Sequence, residues 1–244
     1  MKGFIVDMPG AFFKAGARSL IFSNSPRLIF ISLVYVVFGT VISWLSLRLP
    51  GSLSLEDIYG RLLSGEVPGL GIIYTDFRVI GVFLALLLLL FLPLLDIGFI
   101  SYCLKIVRDQ SADFKDLFNG FLFFIKVISI FLITSVLIFL WSLLLIIPGI
   151  VASYRYRMAY YILLDDPGKG AFQCVHESKL MMHGSKVDLL TIDISFIGWF
   201  LLDFVISVFT PFPFPFPIIS VWLSPYLGLT RAAFYEERLA NVAV

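Results

Sequence analysis

The sequence predicts an all-α, polytopic membrane protein with six transmembrane helices and amphipathic surface helices between them. Three observations predict this. Of 244 residues, 59% are apolar and 14% charged, against about 45–50% and about 25% in soluble chains, and the mean hydropathy is +0.98. Residues 127–147, VISIFLITSVLIFLWSLLLII, form an uncharged run of 21, which at about 1.5 Å per residue crosses a hydrocarbon core of about 30 Å. Continuous apolar runs also exclude a membrane β-barrel, whose strands need short alternating segments.

Each element follows in order. Residues 11–21, AFFKAGARSLI, read as a short helix on the membrane face, with Phe13, Ala17 and Leu20 at helical spacing and Lys14 and Arg18 available to headgroups. The start, MKGFIVDMPGAFFKAGARSL, lacks the sustained apolar core of a cleavable signal. Asn24-Ser25-Pro26-Arg27 is expected to break that helix before the first span, 28–47. Residues 49–78 form an external loop with Glu56, Asp57, Glu66 and Asp76. The second span, 79–104, holds Pro93 and Asp96. Residues 113–121 predict a second surface helix with Phe114, Leu117, Phe118 and Phe121 on its apolar side. Spans three and four are 126–147 and 150–165, with Pro148-Gly149 ending the outbound arm. A third surface helix at 171–183 places Ala171, Val175, Ser178 and Met182 on one narrow face. Spans five and six, 187–208 and 218–239, flank the stiff external turn PFPFPFP.

Lysine and arginine set the expected orientation. With the N-terminus inside, 13 basic residues fall in cytoplasmic segments and three, Arg48, Arg61 and Arg78, outside, which predicts both termini in the cytoplasm. A net charge of +1, without a basic stripe, argues against a nucleic-acid partner. Cys103 and Cys174 fall near cytoplasmic segments, where no disulfide is expected. The chain also suggests a threefold repeat of surface helix plus hairpin, because Ser25 to Pro50, Gly120 to Pro148 and Gly184 to Pro211 are separations of 25, 28 and 27 residues. The bland alternative is that any six-span chain with short loops looks periodic.

The pieces IPGIVASYRYRMAYYILLDDP through SKLMMHG, DISFIGW at 193–199 and SPYLGLTRAAFYEE closely resemble the bacterial integral membrane family called domain-of-unknown-function 975. The resemblance is strongest over 141–237, about 40% of the chain. It implies a multi-pass protein of the bacterial cytoplasmic membrane with no established activity and no cofactor. FPFPFP in the last external turn departs from the family pattern.

Charges inside a bilayer cost several kcal/mol unless paired, hydrated or snorkelled, so their depth matters. From the helical rise, Arg157 and Arg155 lie about 12 and about 15 Å from the inner boundary, Asp193 about 9 Å, and Asp96 and Arg231 about 12 Å. Five charges thus share one layer, with Asp203 the exception near the outer end of span five. In a functional reading, Asp96, Arg155, Arg157, Asp193 and Arg231 line a cytoplasm-facing polar cavity that binds an anionic headgroup or substrate. In a structural reading, Arg157 pairs with Asp193 and Arg231 with Asp96. Tyr154, with Tyr156, Tyr160 and Tyr161, fits either.

No catalytic residue is predicted. His176 and His183 with Glu177 and Cys174 make no recognisable metal set, and Ser178 and Ser185 have no readable triad partners. Gly39, Gly98, Gly198 and Gly228 suit close helix contacts, and Trp199 suits packing. The expected partners are membrane lipids, an anionic or amphiphilic ligand, or another membrane protein. The leading expectation is a transport or export component. The alternatives are a non-catalytic membrane scaffold and a membrane-embedded enzyme acting on lipid.

Overall fold

A computed structural model describes residues 9–48, 63, 76–209 and 217–242. The 49–75 part of the expected external loop, apart from residue 63, and PFPFPFP through Phe216 lie outside the described residues. All regular structure among the described residues is helical. In chain order the helices are α1 (Pro9–Arg48), α2 (Asp76–Val107), a 3₁₀ turn (Phe114–Phe118), α3 (Asn119–Leu122), α4 (Phe124–Leu144), α5 (Ile146–Arg155), α6 (Ala159–Asp165), α7 (Ala171–Met181), α8 (Lys186–Phe209) and α9 (Ile218–Val242). They fall into two compact units, Met1–Val36 with Pro93–Val244, and Val37–Leu92. The residues discussed below belong to the first unless stated.

Among the described residues, four segments are long and apolar enough to cross a membrane: Arg27–Leu45, Phe83–Val107, Phe124–Leu144 and Lys186–Ile206. Only 11% of the Phe124–Leu144 window is buried. Leu132, Val136, Phe139, Leu140 and Leu143 turn outward on that helix, and so much contiguous apolar surface suits lipid rather than water.

Several boundaries differ from the sequence reading. α1 runs through Asn24-Ser25-Pro26-Arg27 without stopping. A proline removes one helical hydrogen bond, whereas continuing keeps Phe13, Ala17, Ile21, Leu28 and Ile31 in one buried stripe. Lys14, expected at headgroups, instead donates to the Ser195 hydroxyl and lies 4.7 Å from the Phe196 ring. The second expected surface helix is a 3₁₀ turn followed by one α turn, with Leu117 buried and Phe114 and Phe118 exposed. It is seated by two glycines: a Cβ on Gly98 would lie 1.7 Å from the Leu117 carbonyl oxygen, and one on Gly120 would lie 2.0 Å from that of Leu94. Gly228 meets Phe99 and Cys103 in the same way, whereas Gly198 has no neighbour within 4 Å and Trp199 is half exposed.

Spans three and four depart most. The outbound helix ends at Leu144 and Leu145 is extended, so Pro148 sits in the first turn of α5 instead of ending α4. That is where a missing N–H costs nothing. Gly149 closes the hairpin, since a Cβ there would be 2.1 Å from Ser142 Oγ. The return arm is two short helices, α5 and α6, interrupted at 156–158. α9 has the length of a span but carries Arg231, Glu236, Glu237 and Arg238, and is not among the four apolar segments. In the last hairpin the buried Asp203 carboxylate accepts from the Ile219 N–H at 2.8 Å, the Ser220 N–H at 3.2 Å and the Ser220 hydroxyl. An anion thus satisfies orphan donors at the N-terminus of α9.

Candidate functional site

The site begins with the interruption of the return arm. At 156–158 the helix tightens, Arg157 N donating to Tyr154 O and Ala159 N to Tyr156 O, at 3.4 and 3.2 Å. Those three-residue bonds leave the Met158 N–H and the Arg155 carbonyl without helical partners. Both are met by one hydroxyl from α7: Ser178 Oγ accepts from Met158 N at 3.1 Å and donates to Arg155 O at 3.0 Å. Ser178 is fully buried, so no water competes, and an unmet backbone group there would cost about 1–3 kcal/mol. The sequence placed Ser178 on the inner face of this helix; its neighbours Cys174, Val175 and Met182 are buried too.

Around the interruption lies a cavity of about 390 Å³, lined from α1 by Tyr35, from α2 by Asp96 and Phe99, from the interrupted arm by Tyr156, Arg157, Tyr160 and Tyr161, from α8 by Phe200 and from α9 by Arg231. Its polar groups differ in how they are satisfied. Tyr35 donates to Asp96 Oδ1 at 2.5 Å and stacks on Phe99 with ring centroids 4.5 Å apart. Arg231 donates from Nε and Nη2 to Asp193 Oδ1 at 3.1 and 2.9 Å, and Tyr154 donates to Asp193 Oδ2 at 3.1 Å. Arg157 makes no side-chain hydrogen bond or ion pair among the described residues, yet it lines the cavity and is exposed to it.

Three of the six expected site residues, Asp96, Arg157 and Arg231, therefore face one space. Asp193 and Tyr154 join them through Arg231. Arg155 does not line the cavity, and its Nε is buried without a partner. The expected pairs of Arg157 with Asp193 and Arg231 with Asp96 are not formed. Asp193 and Arg231 sit on the adjacent helices α8 and α9, at similar distances from their turn, which places them side by side. Tyr35 was missed by sequence reasoning; its signal was a lone phenol deep in an apolar span, where a hydroxyl needs a partner.

A second charged cluster lies at the ends of the returning arms. Arg108 after α2 meets Asp165 of α6 at 2.8 Å and Glu236 of α9 at 2.6 Å, and Tyr235 donates to Asp165 at 2.6 Å. The Asp165 carboxylate holds both guanidinium amines of Arg108, and this hydrogen bonding raises the guanidinium pKa despite partial burial. By the helical rise this cluster lies about 7 Å beyond Arg231 along α9. The rings of Tyr161, which lines the cavity, and Tyr235, which belongs to the cluster, lie 5.0 Å apart. Nearby, burial alone would raise the Asp116 carboxyl, but the Lys105 ammonium at 2.6 Å, the Asp113 N–H and the Asn119 amide together hold it below the usual carboxylate range.

Cys103 and Cys174 are free and buried. His176 and His183 are both exposed, and no group of three His, Cys, Asp or Glu side chains among the described residues could hold a metal ion.

Four helices long and apolar enough to cross a membrane, among the described residues, and a charged and aromatic cavity match the length and composition of helical membrane proteins. Its residues 143–241 match the family described as Protein of unknown function (DUF975). The match covers the interrupted arm, α7, α8 and nearly all of α9, the part that carries the resemblance seen in the sequence. No curated protein and no solved structure matches the chain.

Proposed function

We propose that this is a six-span protein of the bacterial cytoplasmic membrane with both termini inside, and that its polar cavity binds an anionic or amphiphilic ligand as part of a transport or export component. The observation that carries this reading is Arg157. An arginine that lines a cavity between apolar helices without a protein partner is costly at membrane depth, and a ligand anion is the partner that removes the cost. α5 and α6 together cover 146–165, about 30 Å of near-helical chain, and supply the fourth span. The three returning arms meet in one cluster through Arg108, Asp165 and Glu236, which supports three related hairpins.

A scaffold is the second reading. It is favoured by the Arg231–Asp193 pair and the Arg108 cluster, which are satisfied without a ligand. Arg157→Ala separates the two. Under the binding reading, the variant purifies folded in detergent but loses lipids or solutes that co-purify with the parent, as read by mass spectrometry. Loss of folded protein with no change in bound species favours the scaffold.

A further inference from the structure

Three charges line the cavity, Arg157, Arg231 and Asp96, and Asp193 behind Arg231 brings the set to two cations and two anions. One cation and one anion are taken, because Arg231 and Asp193 bind each other at 2.9 Å. The other two remain open. No ion pair joins Arg157 to Asp96, although both line the cavity. Asp96 gives one carboxylate oxygen to Tyr35, and no hydrogen bond among the described residues reaches the other. The cavity therefore presents a separate cation and anion across a space of about 390 Å³, within the range of ligand pockets.

A ligand that is only an anion satisfies Arg157 but brings an uncompensated negative charge into a partly open cavity beside an open carboxylate. A ligand that is only a cation does the reverse. One that carries both charges neutralises both ends and adds no net charge. The remaining lining sorts the ligand further. Phe99, Tyr160 and Phe200 offer ring faces that attract an ammonium group, while Ile138 and Leu227 offer apolar surface for a hydrocarbon chain.

We propose that the cavity takes an amphiphile with a zwitterionic headgroup, its anionic group on Arg157 and its ammonium group on Asp96. This deepens the binding reading above and rests on it. The test uses the full chain in a non-ionic detergent and compares lysophosphatidylethanolamine, lysophosphatidic acid of the same tail, dodecylamine and free phosphoethanolamine, with bound fractions read by native mass spectrometry. Lysophosphatidylethanolamine is expected to bind at least about tenfold more tightly than the other three, a difference of about 1.4 kcal/mol. In Asp96→Asn, its advantage over lysophosphatidic acid should fall to near parity; in Arg157→Gln both phospholipids should lose about tenfold or more.

The outcomes separate the two levels of the idea. Lysophosphatidic acid binding as well as lysophosphatidylethanolamine in the parent chain, with both lost in Arg157→Gln, overturns the zwitterion and leaves an anion site. Free phosphoethanolamine binding as tightly as its lipid form overturns the amphiphile. Binding of every probe that ignores Arg157→Gln overturns the binding reading itself. The comparison among probes in the parent chain needs no variant, so a substitution that fails to fold does not rescue the proposal.

Discussion

The Arg108 cluster and the Arg157 cavity lie roughly one and a half helical turns apart along α9, contain similar residue types and treat them in opposite ways. Arg108 spends its guanidinium on two carboxylates, with Tyr235 closing the set. Arg157 spends its guanidinium on none. Where charges close on one another they join helices, and the return for the desolvation they suffer is geometry. Where a charge lining the cavity is left open, as at Arg157, the proposed reading assigns it to a partner from outside the chain. On the proposed reading, structural and binding charges are told apart by their partners, not by their depth.

The largest expected effect breaks the closed cluster. Arg108→Ala leaves Asp165 and Glu236 facing each other without their shared cation and should cost about 2–3 kcal/mol, seen as a fall of about 4–10 °C in Tm in detergent. Arg157→Ala should lower Tm far less, because no protein hydrogen bond is lost. Equal losses in the two variants would erase the contrast.

Ser178→Ala comes next. It strips partners from the Met158 N–H and the Arg155 carbonyl at once, and should cost about 1–3 kcal/mol while also weakening ligand retention, because the interruption sets where Arg157 points. Ser178→Thr keeps the hydroxyl and should retain more ligand than the alanine variant at comparable stability. If both variants retain the parent's ligand, the stitch does not position Arg157.

Two smaller effects sharpen the picture. Tyr35→Phe removes one hydrogen bond to Asp96 and should cost about 1 kcal/mol, measured by thermal unfolding, with no effect on the Arg108 cluster. Asp116 gives a pH signature. Its folded pKa lies below its unfolded one, so its contribution is complete above the ordinary carboxylate pKa of about 4 and is lost as pH falls through the folded value. Asp116→Asn should therefore flatten the acid limb of a Tm-against-pH curve. An unchanged limb would remove Asp116 from the account.

Much of this was legible in the sequence. Apolar runs found the four long helices because lipid demands length and composition, and the inner face of α7 was readable from Val175, Ser178 and Met182 at helical spacing. Counting rise from span ends singled out Asp96, Arg157 and Arg231, which line one cavity. The pairing was not legible, since depth gives no azimuth: Arg231 reaches Asp193, whereas Arg157 lines the same cavity without an ion pair. The interruption at 156–158 was hidden because Tyr156, Arg157 and Met158 are ordinary helix residues, and the hydroxyl that permits it comes from Ser178, twenty residues on. Pro148 misled for a related reason: a proline marks a helix boundary without saying on which side the helix lies.

The central claim is that position 157 opens onto a polar cavity rather than onto packed side chains or lipid. Arg157→Cys, in a chain whose buried Cys103 and Cys174 are replaced by alanine, can be treated in membranes with a small charged methanethiosulfonate reagent. The account predicts labelling of the native protein without denaturant. A thiol that reacts only after denaturation would contradict it.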